Sequence, residues 1–525
     1  MNLNTLLHAR ADANAPVRVG VIGAGKFGSM FLSQALHHPG FHVVGVADLN
    51  PATAEKALLN TGWPKERITR HSAAKALAQG TTFVTDDALS LIEHGGLEVV
   101  VEATGLPEIG IKHALAAFAR GRHVVMVNVE ADVLAGPLLA RKAAEAGVVY
   151  SMAYGDQPSL ICQQVDWART IGLEVVAAGK GTLYMPEFHE STPDTVWSHY
   201  GLTAERAKES GMNAKMFNSF LDGTKSGIEM AAVANATDLT PAPHGLDFPA
   251  VPVDALASTM IPKDAGGILH HKGQVEVVSS RERSGEDLEN DLRWGVYVVF
   301  EAPTDYVKRC FSDYGMITDA GGGYSALWRP YHLIGLELGV SVAYAAILKQ
   351  PTGSATKFIG DVVACAKRDL RAGEVLDGEG GFTVWGKLMP ATESVRTKAV
   401  PIGLAQKIKL KRPIKQGAIV TWDDVEQDRT DATYLFRREM EALFMPQAKT
   451  PEKPLLGAGS GPGPAGGKSA QQVASKPVAG APRGPQQDAG AAPATGASAA
   501  SGKTGGQSAD QPPGKGGGQV TAPGD

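Results

Sequence analysis

Residues 20–30 read GVIGAGKFGSM, and this stretch indicates the fold of the amino-terminal part of the chain. Gly23, Gly25 and Gly28 form a GxGxxG motif that follows a predicted strand and opens a predicted helix. The next predicted strand ends at Asp48, 20 residues beyond the last glycine. This spacing predicts a strand–helix–strand unit that binds a dinucleotide.

The three glycines have separate predicted roles. Gly23 permits a tight turn, Gly25 lets the backbone approach a pyrophosphate, and Gly28 allows the helix to pack closely on the strand. Lys26 and Phe27 lie inside the motif, where the N–H groups and the dipole of the helix amino terminus favour a phosphate. We therefore predict that these residues contact the cofactor. The alternative is a glycine-rich turn that binds no ligand.

Asp48 lies where a carboxylate accepts hydrogen bonds from the ribose of adenosine. This favours NAD, because a 2′-phosphate would meet a like charge. No arginine follows Asp48 in the sequence ADLNP, although Lys56 lies on the next predicted helix. The sequence therefore leaves both NAD and NADP open as the cofactor.

Two further strand ends carry polar residues, in the sequences EATG and VNVEAD. Since parallel strands present their carboxyl ends at the same edge of a sheet, Thr104, Gly105 and Asn128 are predicted to lie on the nicotinamide side. The alternative interpretation is that Asn128 serves only as a turn residue. Glu130 is a weaker candidate at the same edge.

The alternation of apolar runs and helical patterns from Val17 to Ala153 predicts a doubly wound α/β domain. After Phe444 there is no aromatic residue, and such a composition cannot bury enough apolar surface to fold. We predict four parts: a Rossmann domain over 1–155, an α+β substrate and oligomerisation domain over 156–355, a small β-rich module over 356–445 and a disordered tail over 446–525.

The predicted β-rich module contains a short internal repeat. KRDLRAGEVLD at 367–377 recurs as KRPIKQGAIVT at 411–421, an offset of 44 residues. Two copies are too few for a solenoid, which needs at least about three. The repeat therefore predicts a compact pseudo-symmetric module.

The composition narrows the possible classes of protein. A net charge of −5 over 525 residues gives no reason to expect nucleic acid or an anionic membrane as a partner. The three cysteines form no CxxC pair, and the amino terminus has no signal-peptide core, so we expect a cytoplasmic protein without a thiolate metal site. The apolar stretch at 331–349 contains His332 and Glu337, and it predicts a buried helix in the second domain rather than a membrane span.

The sequence NSFLDGTKSGIEM carries the candidate catalytic residues. Asp222, Lys225 and Glu229 are three and four residues apart, which places them on one face of a helix. Hydride transfer to a carbonyl creates an alkoxide that needs a proton, and Lys225, oriented by the two carboxylates, is the predicted proton carrier. The alternative is an exposed ladder of ion pairs. Lys180 is the rival proton carrier.

Lys180 also begins a stretch rich in polar side chains that extends to Tyr200. Such a loop is either a substrate-binding lip or a solvated surface. His189 and His199, taken singly, are expected to be structural or surface residues. His270 and His271 are neighbours in sequence and do not indicate a metal site.

The ordered motifs together resemble a known family. They run from GVIGAGKFGSM through VVVEATG, VNVEAD, YGDQP and FNSFLDGTKSGIEM to PYHLIGLELG and KRDLRAGEVLDGEGGFTVWGK. This set is similar to the homoserine-dehydrogenase-related oxidoreductases that carry a carboxyl-terminal SAF domain. The resemblance covers residues 3 to 440 and implies that the β-rich module is an SAF domain. Val129 stands where true homoserine dehydrogenases have a lysine, which counts against homoserine as the substrate.

Three functions follow from the resemblance and the motifs. The first is an NAD(P)-dependent oxidoreductase for a small polar hydroxy or oxo compound. The second is a reductoisomerase resembling the deoxyxylulose-phosphate enzymes, which use NADPH; it implies a phosphate pocket near Lys180 or Ser191 and a divalent cation. The third is a non-catalytic dinucleotide sensor. In each case we expect a homo-oligomer.

Overall fold

The computed structural model describes residues 2–209 and 212–445, so the predicted disordered tail lies outside the described residues. The first part of the chain contains seven strands and eight α-helices. The strands are β1 Val17–Ile22, β2 Phe41–Ala47, β3 Ile68–Thr69, β4 Thr82–Thr85, β5 Val99–Glu102, β6 His123–Met126 and β7 Tyr150–Met152. The helices are α1 Leu3–Asp12, α2 Lys26–Ala35, α3 Pro51–Asn60, α4 Ala73–Gln79, α5 Ala88–Glu93, α6 Pro107–Ala119, α7 Val129–Glu145 and α8 Gln157–Thr170.

The seven strands form one parallel sheet in the order β3-β4-β2-β1-β5-β6-β7. The chain order reverses between β1 and β5, and a crevice for ligands opens at such a switch point beyond the carboxyl ends of the strands. Apolar side chains cover both faces of the sheet, as the continuous β-branched runs require. The predicted doubly wound α/β fold is therefore confirmed.

The second part forms a four-stranded sheet in the order β11-β10-β8-β9. Its strands are β8 Glu174–Thr182, β9 Gln274–Ser279, β10 Val296–Glu301 and β11 Tyr324–Arg329. Its helices are α9 Val196–His199, α10 Ala204–Glu209, α11 Ala214–Leu221, α12 Thr224–Thr237, α13 Leu256–Thr259, α14 Asp305–Asp313 and α15 Gly339–Ala343. Short 3₁₀ turns at Lys65–Arg67, Pro186–Glu190, Val253–Ala255, Lys263–Ala265 and Ile402–Leu404 complete the connections.

Helix α12 is the centre of the molecule. Twelve of its 14 residues are buried, and it packs against α7, α8, β9 and the strands that follow it in the chain. A helix buried on all sides is apolar on all sides, and Met230 to Ala234 meet that requirement. Lys225 and Glu229 are therefore not on a solvated face, and the exposed-ladder alternative does not hold.

The apolar stretch at 331–349 is only partly helical, contrary to the sequence prediction. Helix α15 begins at Gly339 and continues as a π-helical turn at Tyr344–Leu348. Gly335 has φ +70° and passes so close to α2 that a Cβ there would lie 2.6 Å from Phe27 O, which imposes a turn. The helix then packs on the core of the amino-terminal sheet rather than on the second sheet.

The third part contains two small sheets, one pairing β12 with β14 and one ordered β13-β15-β16. Its elements are β12 Gly360–Ala366, β13 Val375–Asp377, β14 Val384–Pro390, α16 Ala391–Arg396, β15 Gln406–Leu410, β16 Val425–Glu426 and α17 Ala432–Phe444. One apolar core runs without interruption from Val129 to Val425 and so joins this part to the second.

The two copies of the repeat pair with each other about a local twofold axis. Leu370 and Ile414, which occupy equivalent positions, exchange backbone hydrogen bonds of 2.8 and 3.0 Å. Gly373 donates to Leu410 O at 2.7 Å, and its equivalent Gly417 donates to Ala366 O at 2.8 Å. Both glycines have positive φ, +83° and +76°. The repeat thus encodes a pseudo-symmetric pair of strands and turns.

In residues 2–209 and 212–445, no helix combines the length and the apolar character that crossing a membrane requires.

Candidate active site

The glycine-rich turn after β1 has the shape that a pyrophosphate needs. Gly23 has φ +98°, and a Cβ there would lie 2.5 Å from Ala103 O, so only glycine fits. A Cβ at Gly28 would lie 2.2 Å from Gly23 O, because α2 packs directly on the turn. Gly25, by contrast, faces open space and is exposed. No side chain caps α2, which leaves its first N–H groups directed at that space.

Asp48 stands at the end of β2, beside this turn. Its carboxylate accepts hydrogen bonds of 3.0 Å from Ala24 N and 3.0 Å from Asn50 N, which fix its orientation. The residue that follows is Leu49, which is apolar and 93% exposed. No cation therefore follows the carboxylate directly in sequence. These residues fit a dinucleotide with its adenosine on the β2 side.

Asn128, predicted on the nicotinamide side, caps helix α7. Its Oδ1 accepts from Ala131 N at 3.1 Å, and its Nδ2 donates to Leu106 O at 2.9 Å. These bonds tie the loop that carries Thr104 and exposed Gly105 to the start of α7. The turn interpretation therefore accounts for Asn128, while a contact with nicotinamide stays a prediction.

The predicted trio of Asp222, Lys225 and Glu229 does not pair internally. Asp222 lies outside α12 and forms an ion pair of 2.7 Å with Lys367. Glu229 pairs with Lys180, and Lys225 pairs with Glu130. Asp222 therefore does not orient Lys225, because its carboxylate is already held by another lysine.

Lys225 joins the second part of the chain to the carboxyl edge of the large sheet. Its Nζ lies 2.5 Å from Oε1 of Glu130, in the first turn of α7 directly after β6. Burial opposes the charge of this ammonium, but surrounding carboxyl groups outweigh burial and raise the pKa of Lys225 well above its ordinary value. Those groups belong to Glu130, Glu379, Glu229 and Asp156. Lys225 is consequently a protonated hydrogen-bond donor and not a base at neutral pH.

Lys180 and Glu229 form the second ion pair of the cluster, and both are almost fully buried. Asp156, in the turn after β7, lies close enough to this pair for burial and the charge of Glu229 to raise the pKa of its carboxyl. Two lysines and four carboxyl groups thus meet beyond the ends of β6 and β7. Within the described ranges, no group of three or more His, Cys, Asp or Glu residues is arranged to hold a metal ion.

The polar stretch from Lys180 to Tyr200 is mostly part of the framework. His189 Nδ1 donates to Asp222 O at 2.7 Å, since a carbonyl only accepts, and Nε2 therefore accepts from Tyr184 OH at 3.0 Å. Burial lowers the pKa of His189 to about 4, which keeps the ring neutral. The ring stacks on Trp385 at 3.9 Å. His189 is a structural residue, as expected from the sequence.

Four site residues were missed or ranked low by sequence reasoning. Glu130 was only a weak candidate, and Asp156, Lys367 and Glu379 were not proposed. Asp156 had a usable signal, since it follows a predicted strand in the motif YGDQP. Glu379 had a weaker one, a single carboxylate inside the glycine run DGEGG.

Two family models match the chain, each over less than half of its length. Residues 17–127 match the GFO/IDH/MocA model, described as an oxidoreductase family with an NAD-binding Rossmann fold. The first part of this protein is an NAD-binding Rossmann domain. Residues 155–338 match a model described as the catalytic domain of oxidoreductase DRL. Neither model describes a homoserine dehydrogenase or an SAF domain, so those two assignments stay predictions. No curated protein matches the chain.

Several solved structures are similar to part of the chain. Biliverdin reductase from Synechocystis, solved with biliverdin and NADP+, is 19% identical and covers 32% of this chain and 48% of its own, with a TM-score of 0.23. The WlbA dehydrogenase from Bordetella pertussis, solved with NADH and UDP-GlcNAcA, is 19% identical. The match covers 33% of this chain and 49% of that protein, with a TM-score of 0.23. A myo-inositol dehydrogenase from Corynebacterium glutamicum is 10% identical. The match covers 34% of this chain and 48% of that protein, with a TM-score of 0.24. The chain spans about half the length of these proteins, and likeness at this level carries no conclusion about substrate.

Proposed function

We propose that the protein is an NAD(P)-dependent oxidoreductase that transfers hydride to or from the carbonyl carbon of a small polar substrate. The observation that supports this most is the ion pair between Lys225 and Glu130, which places a buried ammonium at the carboxyl edge of the Rossmann sheet. The descriptions of both matching family models agree with an oxidoreductase.

The order of the strands supports a cofactor that extends from the glycine-rich turn to this ammonium. The turn follows β1, and the next strands in the sheet are β5, β6 and β7. Neighbouring strands are about 4.8 Å apart, so the end of β6 lies roughly 10 Å from the end of β1. The nicotinamide half of a dinucleotide spans a gap of this size. NAD(P), when bound, supplies or accepts the hydride there.

Lys225 is suited to hold the substrate oxygen. Its ammonium donates a hydrogen bond to a carbonyl oxygen and stabilises the negative charge that develops during reduction. Lys180, paired with Glu229 in the same cluster, offers a second ammonium. Because each of these lysines is already paired with a carboxylate, a doubly charged phosphate would meet no uncompensated positive charge. We therefore favour a hydroxy or oxo substrate without a phosphate group.

A sugar-phosphate reductoisomerase is the second candidate, supported by the family resemblance of the motifs. It implies a divalent cation to offset the carboxyl groups of the cluster. The described residues contain no group of three or more His, Cys, Asp or Glu side chains arranged to hold such a cation. Loss of activity with EDTA, restored by added magnesium or manganese, would favour this candidate over the first.

The test begins with fluorescence titration of the purified protein with NADH and NADPH. The tighter cofactor is then offered with panels of oxo acids, hydroxy-amino acids, polyols and sugar phosphates. Turnover of a carbonyl or alcohol compound is the expected result. Tight cofactor binding without turnover across all panels would instead indicate the dinucleotide sensor.

Replacing Lys225 by alanine tests the role of the ammonium. We expect kcat/KM for the substrate found to fall by at least about 100-fold, since a hydrogen-bond donor to the oxyanion is lost, while the Kd for the cofactor changes little. Lys357→Ala is the matched control, because this exposed lysine pairs only with Asp238 on the surface. Full activity of Lys225→Ala would refute the proposed role.

A further inference from the structure

The turn at 377–382, DGEGGF, belongs to the third part of the chain but delivers a residue to the candidate active site. Glu379 lines the same small cavity as Glu130 and Ile228 of α7 and α12. Its carboxyl group lies near Glu130, Lys225 and Ser219. A turn of the predicted β-rich module therefore contributes a residue to the candidate site.

This turn is held in place by side chains of other elements. The carbonyl oxygens of residues 377, 380 and 381 accept hydrogen bonds from Lys215 at 2.5 Å, Asn218 at 3.0 Å and Lys367 at 2.8 Å. Lys367 is itself paired with Asp222. Two lysines and an asparagine thus fix the backbone on both sides of Glu379.

The glycines of the turn are required by its path. Gly378 and Gly380 have φ of +71° and +63°, and a Cβ at Gly380 would lie 2.0 Å from Lys215 O. Gly381 packs on the Asp377 carboxylate, where a Cβ would approach to 2.3 Å. An exposed glutamate would need no such support. The support makes sense if Glu379 must keep one position relative to Lys225.

Glu379 and Lys225 both hold a proton at neutral pH. Burial and the neighbouring Glu130 raise the pKa of Glu379 to about 8, although Lys225 opposes the shift, and Asp222 adds to it. Near pH 7 the carboxyl group is consequently protonated for most of the time. A protonated acid beside an ammonium can replace a proton that the ammonium gives away.

We propose that Glu379 supplies the proton for reduction by acting through Lys225. This rests on the oxidoreductase function proposed above. As hydride from the reduced cofactor adds to the carbonyl carbon, the substrate oxygen takes a proton from Lys225 Nζ. Lys225 takes one from the carboxyl group of Glu379 through a water molecule in the cavity that Glu379 and Glu130 line, because Lys225 pairs directly with Glu130 and not with Glu379. The products are the alcohol, the oxidised cofactor and an ionised Glu379, which regains its proton from water. In oxidation the proton moves in the opposite direction.

The first test needs no substrate. Protein labelled with ¹³C at glutamate carboxyl carbons is titrated by NMR, and the Glu379 signal is assigned by its absence in Glu379→Gln. We expect this signal to titrate near pH 8, and in Lys225→Met still higher, because the opposing positive charge is removed. Titration of Glu379 between about pH 4 and 5, the ordinary range of glutamate, would overturn the proposal.

The second test uses single-turnover hydride transfer from the tighter of NADH and NADPH to the carbonyl compound found in the panel. The wild-type rate should fall as pH rises through about 8, as the Glu379 carboxyl ionises. Glu379→Gln should lose this pH dependence and at least about 10-fold in rate at pH 7, with KM changed far less. Glu379→Asp keeps a carboxyl group and should retain the pH dependence at a reduced rate.

Glu426→Gln is the matched control, because it removes a half-exposed carboxylate from the same part of the chain. A Glu379→Gln rate profile identical to that of the wild type would overturn the proposal while leaving the oxidoreductase function intact. If the wild type reduces no compound in the panel, the proposed function fails, and the NMR titration still decides whether Glu379 holds a proton.

Discussion

At the scale of single residues, the buried carboxyl group of Asp132 predicts how stability depends on pH. Tyr150 OH donates to Asp132 Oδ1 at 2.8 Å, and burial raises the pKa of this carboxyl to about 6. Because the folded-state pKa lies above that of the unfolded chain, Asp132 binds a proton on folding between about pH 4 and 6. The contribution of Asp132 to stability is therefore lost as pH rises through this window.

Asp132→Asn should remove this loss, because the amide stays neutral and still accepts the hydrogen bond from Tyr150. We expect the free energy of unfolding of the variant, relative to wild type, to rise by about 3 kcal/mol between pH 4 and pH 8. Urea denaturation at the two pH values measures it, with exposed Asp194→Asn as the control. A relative stability that is the same at both pH values would contradict the prediction.

Asp48 predicts the choice of cofactor. Its carboxylate is held beside the glycine-rich turn by two backbone N–H groups, and no cation follows it in sequence. NADH should therefore bind more tightly than NADPH. Asp48→Ser should weaken NADH by about 10-fold, the value of one hydrogen bond to a charged group, and should bind NADPH more tightly than wild type does. Fluorescence titration with both cofactors decides this, and equal effects of the substitution on both would contradict it.

The residue scale also shows what the sequence can and cannot predict. Gly23 and Gly28 have the tight turn and the close helix packing that the motif predicts, because these features depend on neighbours within one strand, turn and helix. The contact of Gly25 with a pyrophosphate stays a prediction. The partner of Lys225 was not, because Glu130 lies 95 residues away in the chain. Helical spacing places charges on one face, but only the packing of other elements shows which charge each one meets.

At the scale of elements, the repeat and the turn after it show how a symmetric unit acquires an asymmetric role. Lys367 and Lys411 occupy equivalent positions in the two copies. Lys367 is buried and holds the turn that carries Glu379, whereas Lys411 is exposed. The internal offset predicted a compact pseudo-symmetric module. It did not predict which copy faces the site, because that depends on contacts with α11 and Asp222.

Gly380→Ala tests the turn as an element. The new Cβ would meet a backbone oxygen that cannot move cheaply, and alanine is strained at φ +63°. We expect a loss of about 2 to 4 kcal/mol in the free energy of unfolding and a fall in turnover like that of Glu379→Gln, with cofactor affinity unchanged. Gly417→Ala is the control, since it has a similar φ of +76° but open space at the Cβ, and it should cost only about 1 to 2 kcal/mol. Equal losses in both variants would show that the close approach is unimportant.

At the scale of the whole molecule, one core shared by all three parts explains how residues so distant in sequence meet at one site. The core that begins in α7 continues through α12 into β12 and ends near β16. Helix α17 then returns to α7, where Phe436 and Met440 pack into the core of the amino-terminal sheet. The carboxyl-terminal part should therefore be needed for the position of Glu130, although the Rossmann motif lies at the other end of the chain.

Arg437 in α17 provides the sharpest test of this arrangement. It is fully buried, bonds Asp361 of β12 at 2.6 Å and Glu441 at 2.8 Å, and donates to Leu134 O of α7 at 3.1 Å. Removing one partner from a buried ion network leaves charges without compensation, so Arg437→Ala should cost about 3 to 5 kcal/mol in unfolding free energy. Exposed Arg396→Ala breaks only a surface pair and should cost less than about 1 kcal/mol.

The same substitution should weaken the site through α7. Because Arg437 holds Leu134, four residues beyond Glu130 on the same helix, its loss frees the helix that positions the partner of Lys225. We expect Arg437→Ala to reduce turnover more than cofactor affinity at temperatures where it remains folded, because α17 packs on α7, which carries Glu130. Urea denaturation and cofactor titration on the same preparations separate the two effects. Loss of cofactor binding in a fully folded variant would show that α17 acts on the Rossmann domain as a whole rather than on α7.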